Sequence, residues 1–367
     1  MNTASRATII ATLLLFTFLV FWLAGDPLCT GCISRVPQTP PVEDSGLNVA
    51  INLASSYGTY ALRSPDGTYH VGRTNGSEEY IQMMSKLSRA SSQHLAPPYR
   101  DMGESFLDHP RKLRREARKK IGLPASRDVG ILGDQLREIA KDLQSEAHIR
   151  VGEVVVTVPH LLALYQDDIE DACEYAGLEY VHLPHYYDPL VWETMAAFAG
   201  YGLGLCNHYK KLERCWEEEK NMTTWNLLTV HYSQHALTTA LTPQHSAYGG
   251  LFEPPYRHAE NFSLGLSAKD DFRDPEAYWK AVRRELREVV EFAHMGFDEP
   301  DLVVLTGDSI DTEEFMVSLK DAVLSRNPTV HSNDGLFAVA KGAAEMLMRG
   351  RNYFPKPSPP LLAGVDL

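Results

Sequence analysis

Three observations in the sequence predict an α/β fold. Residues 153–159, EVVVTVP, are apolar almost throughout, as a strand covered on both faces would be. A second such run, residues 301–305, enters Thr306-Gly307-Asp308-Ser309. Around these runs lie segments whose apolar positions recur every three or four residues, notably 128–146 and 274–293.

The chain has 367 residues, 44% of them hydrophobic, enough for two domains or one large duplicated body. Its 35 Lys and Arg against 48 Asp and Glu give a net charge of −13. That balance argues against nucleic acid as the main partner, because phosphate binding needs a basic face. Five cysteines are too few for a disulfide scaffold.

Taken in order, residues 7–24 form an uncharged apolar run, long enough as a helix to cross a bilayer. The run exceeds a usual signal-peptide core, so residues 1–25 read as a retained signal-anchor, with cleavage and secretion as the alternative. Arg6 precedes the run and a net acidic stretch follows it, which places the body on the lumenal or extracellular side. Sequons at Asn75, Asn221 and Asn261 agree with that placement. Residues 26–46 are a proline-rich tether. Cys29-x-x-Cys32, near its start, reads as a structural or intermolecular disulfide, Cys206 and Cys215 as a second candidate pair, and Cys173 as a buried thiol.

Beyond the tether, residues 47–53 read as a buried strand, and 57–62 and 68–71 as hairpin partners about the turn Pro65-Asp66-Gly67. Residues 76–122 are helical and polar, and 111–120, RKLRREARKK, set seven basic residues against Glu116. The reading favoured for that run is a solvated helical face offsetting nearby acid. A helix is expected over 165–176, a strand over 178–183 and a helix over 190–203. Two strands follow within 225–241, then helices at 312–324 and 334–348, and an unfolded tail from 351 to 367. Trp192, Trp225 and Trp279 read as core anchors.

Several of these stretches resemble, in order, the ATPase domain of the 70-kDa heat-shock chaperones, within the actin-like superfamily. They are VVVTVPHLLALYQDDIEDACEYAGLEYV at 154–181, AAFAGYGL at 196–203, DLVVLTGDSIDTEEFMVSLKDAV at 301–323 and NDGLFAVAKGAAEML at 333–347. VAINLASSYG at 49–58 resembles the first phosphate loop. The resemblance implies two actin-like lobes, 47–205 and 206–350, built as a ribonuclease H-like duplication with a reduced adenine-side subdomain. It also implies ATP with Mg²⁺ between two phosphate hairpins.

The residues matching that site depart from the pattern. Asn52 stands where the family places aspartate, and Ala54-Ser55-Ser56 where it places glycine and two threonines, with Tyr57 following. The second loop, LTVHYSQHALTTAL at 228–241, has neither glycine nor aspartate; Tyr232, Gln234 and His235 crowd it. On the adenosine side, Gly307-Asp308-Ser309 puts a carboxylate near the phosphates, where like charge repels. Pro159 keeps the place of the relay proline, and the catalytic glutamate corresponds to Glu193 or Asp188. The expectation is a pseudo-ATPase serving as an interaction or scaffold module with a protein partner. A divergent nucleotide-binding ATPase is the alternative, and a serine esterase using Ser309 the third reading, although a downstream base is missing. His231-x-x-x-His235 and His182-x-x-His185 read as ordinary histidines, and no metal site is expected.

Overall fold

In the run NVAINL every side chain is buried, and in the computed structural model it forms the central strand of a sheet. The structure describes residues 47–183, 190–251, 256–291, 299–323 and 327–353. The apolar run 7–24, Cys29, Cys32, Asp188, His185 and the tail beyond residue 353 lie outside them. Among the described residues no helix is long and apolar enough to cross a membrane.

The strands are β1 (Asn48–Leu53), β2 (Tyr57–Arg63), β3 (Tyr69–Asn75), β4 (Glu153–Val158), a two-residue β5 (Glu179–Tyr180) and β6 (Val191–Trp192). They continue with β7 (Trp225–Tyr232), β8 (Leu237–Gln244), β9 (Arg257–Asn261), β10 (Leu302–Thr306) and β11 (Thr329–His331). β1 pairs antiparallel with β2, β2 antiparallel with β3, and β1 and β6 both pair parallel with β4. The second sheet repeats this pattern: β7 with β8 and β8 with β9 antiparallel, then β7 with β10 and β10 with β11 parallel. The two meanders, each followed by parallel strands, give the doubled strand order expected of a ribonuclease H-like duplication.

Nine helices are described: α1 (Glu78–Leu87), α2 (Met102–Lys120), α3 (Arg127–Ala147), α4 (Gln166–Ala176), α5 (Glu193–Gly200), α6 (Leu212–Lys220), α7 (Pro275–Glu291), α8 (Glu313–Val323) and α9 (Ala338–Tyr353). The chain divides into two compact units. Within Gly76–Gly152 and Leu162–Tyr180 the first unit holds α1 to α4, and the second holds both meanders and α5 to α9.

In the second unit, alternation along β7 sends Leu227 to one core and Leu228 and Val230 to another. The first core packs Ala50, Val155, Leu227 and Val304 against α5 and α9. The second packs Leu228, Val230, Val303 and Leu305 against α7 and α8 through Tyr278, Leu286, Phe315 and Leu319. α5 and α9 cross so closely that a Cβ at Gly342 would overlap the Ala196 carbonyl oxygen, and one at Gly200 the Ala338 carbonyl oxygen.

In the first unit the structure corrects the reading of RKLRREARKK. Asp101 caps α2 by accepting from the Glu104 amide at 2.9 Å. The basic face of the helix then turns inward onto the acidic face of α4. Arg115 is buried, donating to Asp168 Oδ1 at 2.7 Å and to Asp171 Oδ2 at 2.7 Å. Arg111 reaches Asp167 at 2.9 Å and Lys119 reaches Asp171 at 2.8 Å. Charge complementarity between elements overrides the usual rule that such a run faces solvent.

Other differences are local. The strand expected over 178–183 is only Glu179–Tyr180, and the helix expected over 190–203 shortens to Glu193–Gly200. α6, β9 and β11 were not anticipated; each is short and mostly half-buried or exposed, so its pattern is weak. Trp279 is a buried anchor, but Trp192 and Trp225 are only half-buried. Cys206 and Cys215 are joined in a disulfide with Cα atoms 5.4 Å apart, and Cys173 is a buried thiol whose pKa burial pushes up to about 12.

Candidate functional site

The β1–β2 and β7–β8 turns, which the resemblance assigns to phosphate, meet each other directly. Ser55 Oγ lies 3.0 Å from Ser233 Oγ, and both residues are buried. Asn52 Oδ1 accepts from Thr157 Oγ1 at 3.0 Å, so it is tied to β4. Ser56 and Tyr57 are buried as well, with the Arg73 guanidinium 4.2 Å above the Tyr57 ring.

The loop after β10 closes onto the same turn. Gly307 adopts φ 114°, and a Cβ there would overlap the Tyr232 carbonyl oxygen, so only glycine suits both the torsion and the space. The Ser309 amide donates to that oxygen at 3.2 Å. Asp308 Oδ1 accepts from the Gln234 amide at 3.1 Å and from Ser309 Oγ at 2.9 Å, and Oδ2 accepts from Arg73 at 2.7 Å. Gln234 Nε2 donates to Ser309 Oγ at 3.0 Å. Ser309 is therefore engaged by a carboxylate and an amide, and no histidine takes part in these contacts.

Below the turns lies a buried acid–imidazole floor. Glu193, at the start of α5, accepts from Thr238 at 3.0 Å through Oε1. Its Oε2 is 4.0 Å from His231 Nδ1, which is also 3.1 Å from Thr306 Oγ1. Neither Glu193 Oε2 nor His231 Nε2 hydrogen-bonds a described residue. Burial raises the Glu193 pKa above its ordinary value, only partly offset by His231. Strand register places Thr238 opposite both His231 and Glu260. Glu260 is bonded to His258 at 2.5 Å, and burial raises its pKa too.

His160 follows Pro159 at the end of β4 and faces this floor. Its Nε2 is 2.8 Å from Thr194 Oγ1, its Nδ1 2.5 Å from the Tyr256 hydroxyl, and its ring stacks on Trp192 at 4.8 Å. Burial, then the nearby His258, hold its pKa well below 6.5. A depressed imidazole contributes stability fully present above pH 6.5 and lost as pH falls toward the folded value, because the unfolded chain protonates first. Glu193 and Glu260, with raised values, act in the opposite sense on acidification. Thermal melts from about pH 7.5 down to about pH 5.5 are expected to show His160→Asn losing about 1 kcal/mol less than the parent chain. Equal losses in the two would refute this.

The groups present do not fit Mg²⁺ and ATP. Asn52, Ser55 and Ser233 are spent on protein contacts, Asp308 adds a buried carboxyl, and burial favours the neutral form of Glu193. Arg73, His160, His231, Tyr256, His258 and Glu260 carry these contacts, and sequence reasoning missed them as site residues. Pairing register and a long-range ion pair bring them together; only the position of His160 after Pro159 was a local signal. His231 lies on β7 and His235 in the turn beyond it, so the pair does not share a helical face. No group of three metal-ligating side chains occurs among the described residues. Asn75 and Asn221 are exposed, whereas the half-buried Asn261 donates its side-chain amide to Glu285 at 3.0 Å.

Fold and site together define a two-sheet α/β protein with a repeated strand order, in which the β1–β2 and β7–β8 turns contact one another. No family model matches the chain, and no curated protein matches it. Among solved structures it is similar to the ethanolamine utilization protein EutJ from Carboxydothermus hydrogenoformans, at 12% identity, over 85% of this chain and 92% of that one, with a TM-score of 0.47. That likeness is distant, and the fold class rests on the strand order.

Proposed function

We propose that this chain is a pseudo-ATPase of the actin-like superfamily, a degenerate relative of the heat-shock-70 ATPase domain that works as an interaction or scaffold module for a protein partner. The observation that carries the reading is the Ser55–Ser233 contact. Where the family holds phosphates between two hairpins, these hairpins hold each other. A triphosphate would have to break that contact and leave buried hydroxyls to find new partners. It would also have to compete with Asp308 for Arg73, whose guanidinium that carboxylate holds at 2.7 Å. We further propose that residues 7–24 anchor the body as a single-pass membrane protein on the lumenal or extracellular side.

Calorimetric titration with Mg·ATP is expected to give no saturable heat, and a melt with excess nucleotide no rise in Tm. A true ligand at a hundredfold its Kd would add about 2.7 kcal/mol. Micromolar binding with steady phosphate release would overturn the reading and establish a divergent ATPase instead.

A further inference from the structure

The inward turn of the basic face of α2 has a consequence for its other side. Met102, Phe106 and Leu113 recur at helical spacing along one stripe and are 87%, 79% and 53% exposed. An ordinary amphipathic helix buries such residues and exposes its charges. Here Arg111, Arg115 and Lys119 are consumed by the carboxylates of α4, so the apolar side is what remains outward. Exposed Met, Phe and Leu in register mark a surface made to be covered.

We propose that this stripe docks on a phospholipid bilayer, an inference that rests on the membrane attachment proposed above. Two observations select lipid over a second protein. The chain carries the uncharged apolar run 7–24, separated from β1 by little more than twenty residues. That tether spans at most about 80 Å when fully extended. It keeps the chain near the same membrane at high effective concentration. The side chains also suit the boundary between headgroups and acyl chains. Met, Phe and Leu line the stripe, with the exposed Lys120 on the same helix to meet lipid phosphates. Docking breaks no ion pair to α4, because those lie on the opposite face.

The test uses the full chain in vesicles of phosphatidylcholine and phosphatidylserine, with Phe106 replaced by the photoreactive p-benzoylphenylalanine. A second chain carries the replacement at Val317, which is 51% exposed on α8. Illumination is expected to yield a lipid adduct at position 106 several-fold above that at 317. The triple variant Met102→Ser, Phe106→Ser, Leu113→Ser is expected to keep the parent Tm while losing the vesicle-induced protection of α2 from hydrogen exchange. Alkaline extraction run in parallel reports the anchor separately. A chain retained in the membrane but giving a dimer, or no lipid adduct, at position 106 overturns docking and leaves the anchor standing. A lipid adduct on a chain that alkali releases upholds docking and overturns the anchor.

Discussion

Arg115→Ala is expected to lower the stability of the chain by about 3–5 kcal/mol, because it strips the cation from a buried acidic cluster. Arg115 donates to Asp168 at 2.7 Å, to Asp171 at 3.0 and 2.7 Å, and to the Asp167 carbonyl oxygen at 2.8 Å. Asp168 is buried, and burial already raises its pKa against the lowering effect of Arg115. Without the guanidinium that pKa rises further. A carboxyl whose folded pKa is raised contributes stability present below the unfolded value and lost as pH rises through the folded one. The deficit of the variant should therefore narrow in acid and be greatest at neutral pH. Arg115→Lys keeps the charge but not the fork that spans two carboxylates, and should recover only part of the loss. Urea unfolding at acid and neutral pH checks both statements; a variant as stable as the parent at neutral pH would show that the cluster contributes nothing.

The second large effect is at the helix crossing. Gly342→Val is expected to cost about 3 kcal/mol, by overpacking against a backbone that cannot move aside. A Cβ there meets the Ala196 carbonyl oxygen and the Gly200 amide, both on α5. Even Gly342→Ala should destabilise. In an isolated helix the same change would stabilise by about 1 kcal/mol, so its sign separates packing from propensity. A Tm raised by Gly342→Ala would place the helices farther apart than the structure has them. α5 follows the first meander and α9 the second, so this crossing joins the two repeats of the duplication.

Much of this was legible locally. The all-buried β1 and the three-and-four spacing of α3 and α7 are written in runs of neighbouring residues. Gly177, in the left-handed region at φ 78°, ends α4 where the sequence places a glycine. Asn52, Ser55, Asp308 and Ser309 could be singled out from the sequence, because comparing a residue with a pattern needs only the residue itself. Their partners were not. Nothing near Ser55 in the chain indicates Ser233, 178 residues away, and nothing near Asp308 indicates Arg73.

The sequence by itself determined the α/β class and most of the longer strands and helices, because each depends on local composition and spacing. Only the tertiary structure decided what the residues of the turns bond to. Strand register set Thr238 between His231 and Glu260, and close packing joined Ser55 to Ser233. The carboxylates of α4 likewise turned the charged side of α2 inward and its apolar side out. Hydrogen bonds and ion pairs between distant segments are chosen by which partners end buried together, and burial is a property of the folded chain.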